Sequence, residues 1–198
     1  MDLVHMADKP LEGKAMTIND IIAAATALTP KLRAAIDVCN ELGCLPKDIM
    51  EELRAAGVFR MAFPAQLGGL QAKLADQTRV IEILAAANPS VGWTVMILAD
   101  SGYFAGMFDP KTAREIWPRF DMATSAVSRP PAKAEVVEGG YRLSGRIGFA
   151  SGVRNADRIS VHCEKYVDGK PILGADGRPE EFLAFPPLEA FAIHDAWD

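Results

Sequence analysis

Histidine and cysteine are scarce: the 198 residues hold three of each, His5, His162 and His194, and Cys39, Cys44 and Cys163. The cysteines are odd in number and show no CxxC spacing, so a disulfide framework is not expected and reduced, packed thiols are. Three scattered histidines supply neither a zinc nor a di-iron site, and no metal ligand is assigned. Basic clusters are missing as well. The formal charge is −5 with Lys and Arg dispersed, which leaves no electrostatic footprint for nucleic acid. No apolar stretch of about 18 residues runs without polar interruption, so no membrane span is expected. Residues 1–14 carry acids, a proline and no apolar centre, unlike a secretory signal. A flexible leader over 1–16 and a cytoplasmic location are the expectation. The nicotinamide fingerprint Gly-x-Gly-x-x-Gly is also lacking.

What is present is enough apolar material for a packed core, 49% against 24% charged residues. The periodicity changes near residue 120. Before it the signals are helical. Thr17 with Asp20 forms a capping-box variant ahead of Ile21, Pro30 is expected to break or kink that run, and a second helix, 31–42, ends at Gly43. Pro46 opens a helix that stops at Gly57. A helix over 74–87 is predicted to present Leu74, Thr78, Ile81 and Ala85 on one face. Asn88 caps the next, which runs from Val91 to about Met107 and, being apolar nearly all round, is expected to be central and buried. Asp109-Pro110 caps a last short helix.

After residue 120 the period is 2. Strands are predicted at 122–128, 134–137, 140–149, 158–164, 171–173, 181–185 and 191–194, with Asp-Gly turns between several of them. Helices followed by strands give an α+β fold, divided as an all-α domain over 17–119 and a β domain over 120–198. The longest strand ends Ile147-Gly-Phe-Ala-Ser-Gly152. Alternation puts Tyr141, Leu143, Ile147 and Phe149 on one side and Arg142, Ser144 and Arg146 on the other. Its end combines backbone N–H groups, a hydroxyl and an aromatic wall, a set suited to a flat, heteroatom-rich ligand such as an isoalloxazine ring.

Four segments, taken in order, resemble the acyl-CoA dehydrogenase superfamily: 45–48 (Leu-Pro-Lys-Asp) leading to 55–58, Pro-Ala-Gln-Leu-Gly-Gly at 64–69, Asn-Pro-Ser-Val-Gly-Trp at 88–93, and Glu-Gly-Gly-Tyr-Arg-Leu-Ser-Gly at 138–145. The stretch 144–152 is closer to the flavin-dependent, two-component monooxygenase branch, with Ile147 where that branch has Trp. Ser128-Arg129-Pro130 stands where dehydrogenases have Thr-Glu-Pro.

The resemblance implies a helical N-terminal domain followed by a partial antiparallel, β-barrel-like middle domain, with the C-terminal helical bundle absent. It implies a reduced FAD or FMN delivered by a partner flavin reductase, O₂ as oxidant, a hydrophobic or aromatic substrate, and a homo-oligomer. Carried over by position, Ser128, Phe149, Ala150 and Ser151 are cofactor-binding and Trp93 and Arg129 substrate-binding. No catalytic residue is assigned, because 97–101 lacks the histidine that phenol hydroxylases of this branch place there. On their own these residues also read as core (Phe149, Trp93), a turn (Ser151) and a solvated loop (Arg129). Two other functions remain open: an acyl-CoA dehydrogenase, and a non-catalytic truncated protein that uses the fold for assembly.

Overall fold

A computed structural model describes residues 16–194; the expected leader, apart from Met16, lies outside them. Helix α1 spans Ile18–Ala34, opened by the Thr17 capping box, in which the Asp20 carboxylate accepts from the Thr17 N–H at 2.8 Å. The helix continues through Pro30 instead of breaking there. Proline removes the N–H that would bond the Thr26 carbonyl, and the Thr29 hydroxyl donates to that carbonyl instead, at 2.8 Å. The break falls at Ala35, before α2, Ile36–Leu42, which ends on left-handed Gly43. Helices α3 (Lys47–Ala55) and α4 (Leu74–Ala87) follow, and then α5 (Pro89–Leu98), α6 (Ser101–Ala105) and α7 (Pro110–Ile116).

Two expectations about these helices are corrected. The buried face of α4 is Gln77, Val80, Leu84 and Ala87, not the Leu74 face. Gln77 hides this stripe in the sequence, yet its amide is satisfied inside: Nε2 donates to Ala72 O at 2.8 Å and Oε1 accepts from the Tyr103 hydroxyl at 3.2 Å. The predicted single helix 91–107 is two, α5 and α6, and it is not buried all round. Val91, Val95 and Leu98 are sealed in the core, while Trp93, Met96, Tyr103 and Met107 are exposed. Helices α4 and α5 meet backbone to backbone at Gly92, where an added Cβ would lie 2.4 Å from that of Ala85.

Strand β1 runs Thr124–Val137, β2 Gly140–Ser144, β3 Arg158–Val167, β4 Lys170–Pro171 and β5 Glu181–Ala184. They form one sheet in the order β2-β1-β3-β4, with β5 also on β3. The α+β class holds, but the sheet is mixed and not antiparallel throughout, because β1 and β3 pair in parallel. Residues 122–128 and 134–137 belong to one strand that bulges: Val127 faces Val161, and the next pair is Ala132 with Cys163. The bulge holds Pro130 and Pro131, which have no N–H to give a ladder. The same prolines explain why β2 stops at Ser144, opposite Lys133. A longer β2 would face residues unable to donate. Residues 191–194 form no strand.

The topology then fixes a path. β2 covers only the far end of β1, yet β3 must start beside Thr124, paired with Arg158. Residues 145–157 therefore travel back along β1. Gly145 passes Ala132, Ser151 O accepts from the Ser125 hydroxyl at 3.0 Å, and the Asp157 N–H reaches Ala123 O at 2.8 Å.

The cores are continuous with this layout. One lies among α1–α5 (Ile21, Leu32, Leu53, Phe59, Leu84, Leu98), a second around Trp117 and Phe63, and a third beneath the sheet around Val127, Ile159 and Val161. Each large, fully buried side chain contributes about 1.5–3 kcal/mol. No helix among the described residues is long and apolar enough to cross a membrane.

Candidate functional site

The return loop 145–157 carries the residues that the sequence singled out, and side chains from three sides hold it against the helices. Asn155 Oδ1 accepts from the Leu45 N–H at 2.9 Å, and its Nδ2 donates to Leu45 O at 2.8 Å. Asp157 Oδ2 accepts from Arg54 Nη2 at 2.6 Å and from the Ala123 N–H at 2.7 Å. Gly152, at φ +72°, sits on Leu98 of α5, where an added Cβ would be 3.2 Å from the leucine side chain. None of Asn155, Asp157 or Arg54 stood out in the sequence. Long-range pinning of this kind leaves no local pattern.

On that shelf, Ser151 is half-buried. Its N–H donates to Phe149 O at 3.0 Å and its carbonyl accepts from the Ser125 hydroxyl, so the Ser151 N–H is already used within the loop. Its hydroxyl has no hydrogen-bond partner among the described residues. Phe149 is in the left-handed region at φ +59° and is 85% exposed. The inward position expected from alternation is wrong, because the strand has already ended at Ser144 and the left-handed turn swings the ring outward. Ile147, Ala150 and Val153 supply the inward packing in its place.

Ser128 and Arg129 lie on the β1 bulge, both exposed. The Ser128 carbonyl is 3.0 Å from His162 Nδ1, while Arg129 Nη1 pairs with Glu181 Oε1 at 3.4 Å. His162 Nε2 is 3.0 Å from the same carboxylate. The bulge is thus tied to β3 and β5. No hydrogen bond, ion pair or ring contact joins Arg129 to Trp93 or to Ser151 among the described residues.

Trp93 is 55% exposed, which removes the reading of it as core. Exposed or half-exposed positions continue from it at helical spacing through Met96, Ile97, Asp100, Tyr103 and Met107. They form an apolar ledge that crosses the break between α5 and α6. Its far end borders a cleft of about 580 Å³ lined by Pro64, Gln71, Gln77, Tyr103 and Met107. Asp100 is the ledge's one charged side chain. No hydrogen bond or ion pair reaches its carboxylate, and burial holds it above the usual carboxylate range. Beneath it Ser101 Oγ lies 2.8 Å from Thr124 Oγ1, which accepts from Trp117 Nε1 at 3.0 Å, fastening the ledge to β1.

Comparison with known proteins places this geometry. Residues 23–107 match the acyl-CoA dehydrogenase N-terminal domain family. The oxygenase subunit HsaA of a flavin-dependent monooxygenase from Rhodococcus jostii (strain RHA1) is 30% identical over 174 residues, 87% of this chain and 44% of that protein. The oxygenase component of an FADH(2)-dependent resorcinol hydroxylase from Rhizobium sp. (strain MTP-10005) is 29% identical, over 89% of this chain and 42% of that protein. The crystal structure of the HsaA monooxygenase from M. tuberculosis superimposes with a TM-score of 0.80 at 26% identity, covering 92% of this chain and 46% of that one. The chain therefore spans less than half the length of the curated relatives it matches. Over residues 23–107 the chain thus matches the acyl-CoA dehydrogenase N-terminal domain family, and over most of its length it is similar in sequence and fold to oxygenase subunits of flavin-dependent monooxygenases.

Proposed function

We propose that this chain forms the flavin-facing wall of a two-component monooxygenase that hydroxylates a hydrophobic or aromatic substrate. One observation carries the reading: the pinned loop holds the Phe149 ring out of the core in a left-handed conformation, next to a Ser151 hydroxyl without an internal partner. An unburied aromatic forgoes about 1.5–3 kcal/mol of burial, and a left-handed non-glycine residue costs about 1–3 kcal/mol more. The burial is recovered when a flat ring system covers Phe149, and the backbone strain is the cost of holding the ring outward for it. The residues fit such a group. Phe149 would stack on it, the Ser151 hydroxyl would donate to a ring heteroatom, Ala150 leaves the approach clear, and Ser128 lines the polar edge. Bound in reduced form, flavin supplies the electrons with which O₂ delivers one oxygen atom to the substrate. The chain's own part is to hold the ring against the shelf and to keep water off one face. Trp93 and the apolar ledge would receive the substrate, with Arg129 at the rim.

The relatives' names support the same reading, since one is called FADH(2)-dependent and two are called oxygenase components. A flavin reductase as partner and a homo-oligomeric state belong to this proposal. So does the division into a helical unit over 17–119 and a β unit over 120–198. The test is calorimetric titration with anaerobically photoreduced FMN and FAD. The expected result is binding by the wild type that weakens about tenfold in Ser151→Ala, the loss of one hydrogen bond near 1.4 kcal/mol, and by more in Phe149→Ala. Heats at the dilution baseline for both flavins, or equal affinities in all three proteins, would overturn the proposal.

A further inference from the structure

The corner between α2 and α3 holds two free thiols, Cys39 and Cys44, on either side of the left-handed Gly43. The Gly43 N–H donates to Cys39 O at 3.0 Å and closes the helix end. A left-handed end of this kind folds the residue after the glycine back over the last helical turn, where its side chain meets the one three or four places before the cap. Here those two side chains are the thiols. Their surroundings differ. Cys39 is packed in the helical core with its sulfur 3.9 Å from Asn88 Nδ2, whereas Cys44 is half-exposed. Burial pushes the Cys39 thiol up, and the Cys44 thiol beside it adds to the rise. The same corner supports the return loop. Leu42 O accepts from Arg154 Nη1 at 3.0 Å, and Asn155 grips both backbone groups of Leu45. Cys44 stands between these two anchor points.

We infer that Cys39 and Cys44 form a dithiol switch, oxidised by hydrogen peroxide to a disulfide that releases the return loop from this corner. Cys44, the half-exposed thiol, reacts first. Its thiolate attacks one peroxide oxygen and the O–O bond breaks, leaving a sulfenic acid on Cys44 and a hydroxide ion. The Cys39 sulfur then attacks the Cys44 sulfur. The S–S bond forms, and the sulfenic oxygen leaves as water with the Cys39 proton. The two thiols give up two electrons, and the peroxide is reduced to water. Cys39 is fixed by close packing, so drawing the sulfurs to bonding distance moves Cys44 and, with it, Leu42 and Leu45. Their backbone groups are then pulled away from Arg154 and Asn155. A thiol reductant reverses the change.

Trypsin cuts after Arg33 and Lys47, which places both thiols in one peptide, 34–47, and Cys163 in another, 159–165. One digest therefore reads the switch and its control. The fully reduced full chain is treated with hydrogen peroxide, alkylated in denaturant and mapped by mass spectrometry. Peptide 34–47 should lose two hydrogens and escape alkylation, Cys163 should still alkylate, and dithiothreitol should restore both thiols. Hydrogen exchange at the Asn155 N–H, which donates to Gly152 O at 2.9 Å, should run about tenfold faster in the oxidised protein, the weight of one lost hydrogen bond. Cys39→Ser should stop at a sulfenic acid on Cys44 that dimedone captures. Cys44→Ser should leave Cys39 reduced under the same treatment, and this half-exposed position keeps the test decisive if the Cys39 variant does not fold. A peptide 34–47 left unoxidised, Cys163 oxidised ahead of the pair, dimers linked through Cys44, or unchanged Asn155 exchange in the oxidised protein would each overturn the inference.

Discussion

Replacing Asp157 with Asn keeps its shape and removes the charge that clamps the return loop to the helices. Two strong bonds meet at Oδ2, from Arg54 Nη2 at 2.6 Å and from the Ala123 N–H at 2.7 Å, while Arg119 Nη2 approaches Oδ1 at 3.2 Å. The Arg119 side chain is 58% exposed and adds little, about 0.2–1 kcal/mol. Arg54 and Asp157 are only 19% and 23% exposed. Breaking a fully buried pair costs about 3–5 kcal/mol, so with partial screening the expectation for Asp157→Asn is about 2–4 kcal/mol. At about 2–4 °C per kcal/mol for a chain of this size, the melting temperature should fall by roughly 5–15 °C. The assay is a double-mutant cycle with Arg54→Met, read by urea denaturation, joined to hydrogen exchange at Val153 and Asn155, whose N–H groups bond Ala150 O and Gly152 O. A coupling of about 1.5–3 kcal/mol is expected, along with faster exchange at those two amides. Coupling below about 0.5 kcal/mol, with exchange unchanged, would show that the loop is held by something other than this clamp.

Three further outcomes follow from the same geometry. Asp100→Asn should stabilise the protein at pH 7: burial raises the folded-state pKa above the unfolded value of 3.8, so the wild type loses stability as pH rises through that window, and the gap between variant and wild type should close below about pH 4 in paired melts. Gly152→Ala should destabilise by about 1–3 kcal/mol, because a left-handed backbone and the Leu98 contact both penalise a Cβ, and reduced-flavin affinity should drop with it; a neutral effect in denaturant titration would refute the tight seat. Of the three thiols, Cys39 and Cys163 are buried and pushed upward in pKa by burial, while Cys44 is half-exposed. A chromogenic disulfide reagent at pH 8 should find one fast thiol in the native protein and three in denaturant.

Much of the helical half was legible because its signals are local. The Thr17 box, the Asn88 and Asp109 caps and Gly43 each act within four residues of themselves, and each is present as read. What escaped the sequence was set by distant partners. Pro30 looked like a breaker because the Thr29 hydroxyl that compensates it is not part of any breaker rule. The α4 face was misread because a glutamine sits in the apolar stripe, satisfied by Ala72 and Tyr103. Phe149 was placed inward by alternation, but its strand ended five residues earlier, for want of donors on the Pro130-Pro131 bulge across from it. Asp100 went unnoticed because nothing in its neighbours' identities says that its carboxylate would be left alone.

The route taken by residues 145–157 has a consequence for anyone editing this chain. Its waypoints at Ala132, Ser125 and Ala123 are spaced by the strand it shadows, so adding or removing one residue between Gly145 and Asp157 would desynchronise every later contact. By contrast, the tips at Gly139 and Gly177 have open space around them, with nothing within 4 Å of where a side chain would begin. Epitope tags, fluorophores or extra residues belong at those tips, where length is free to vary and the distance between shelf and ledge stays as it is.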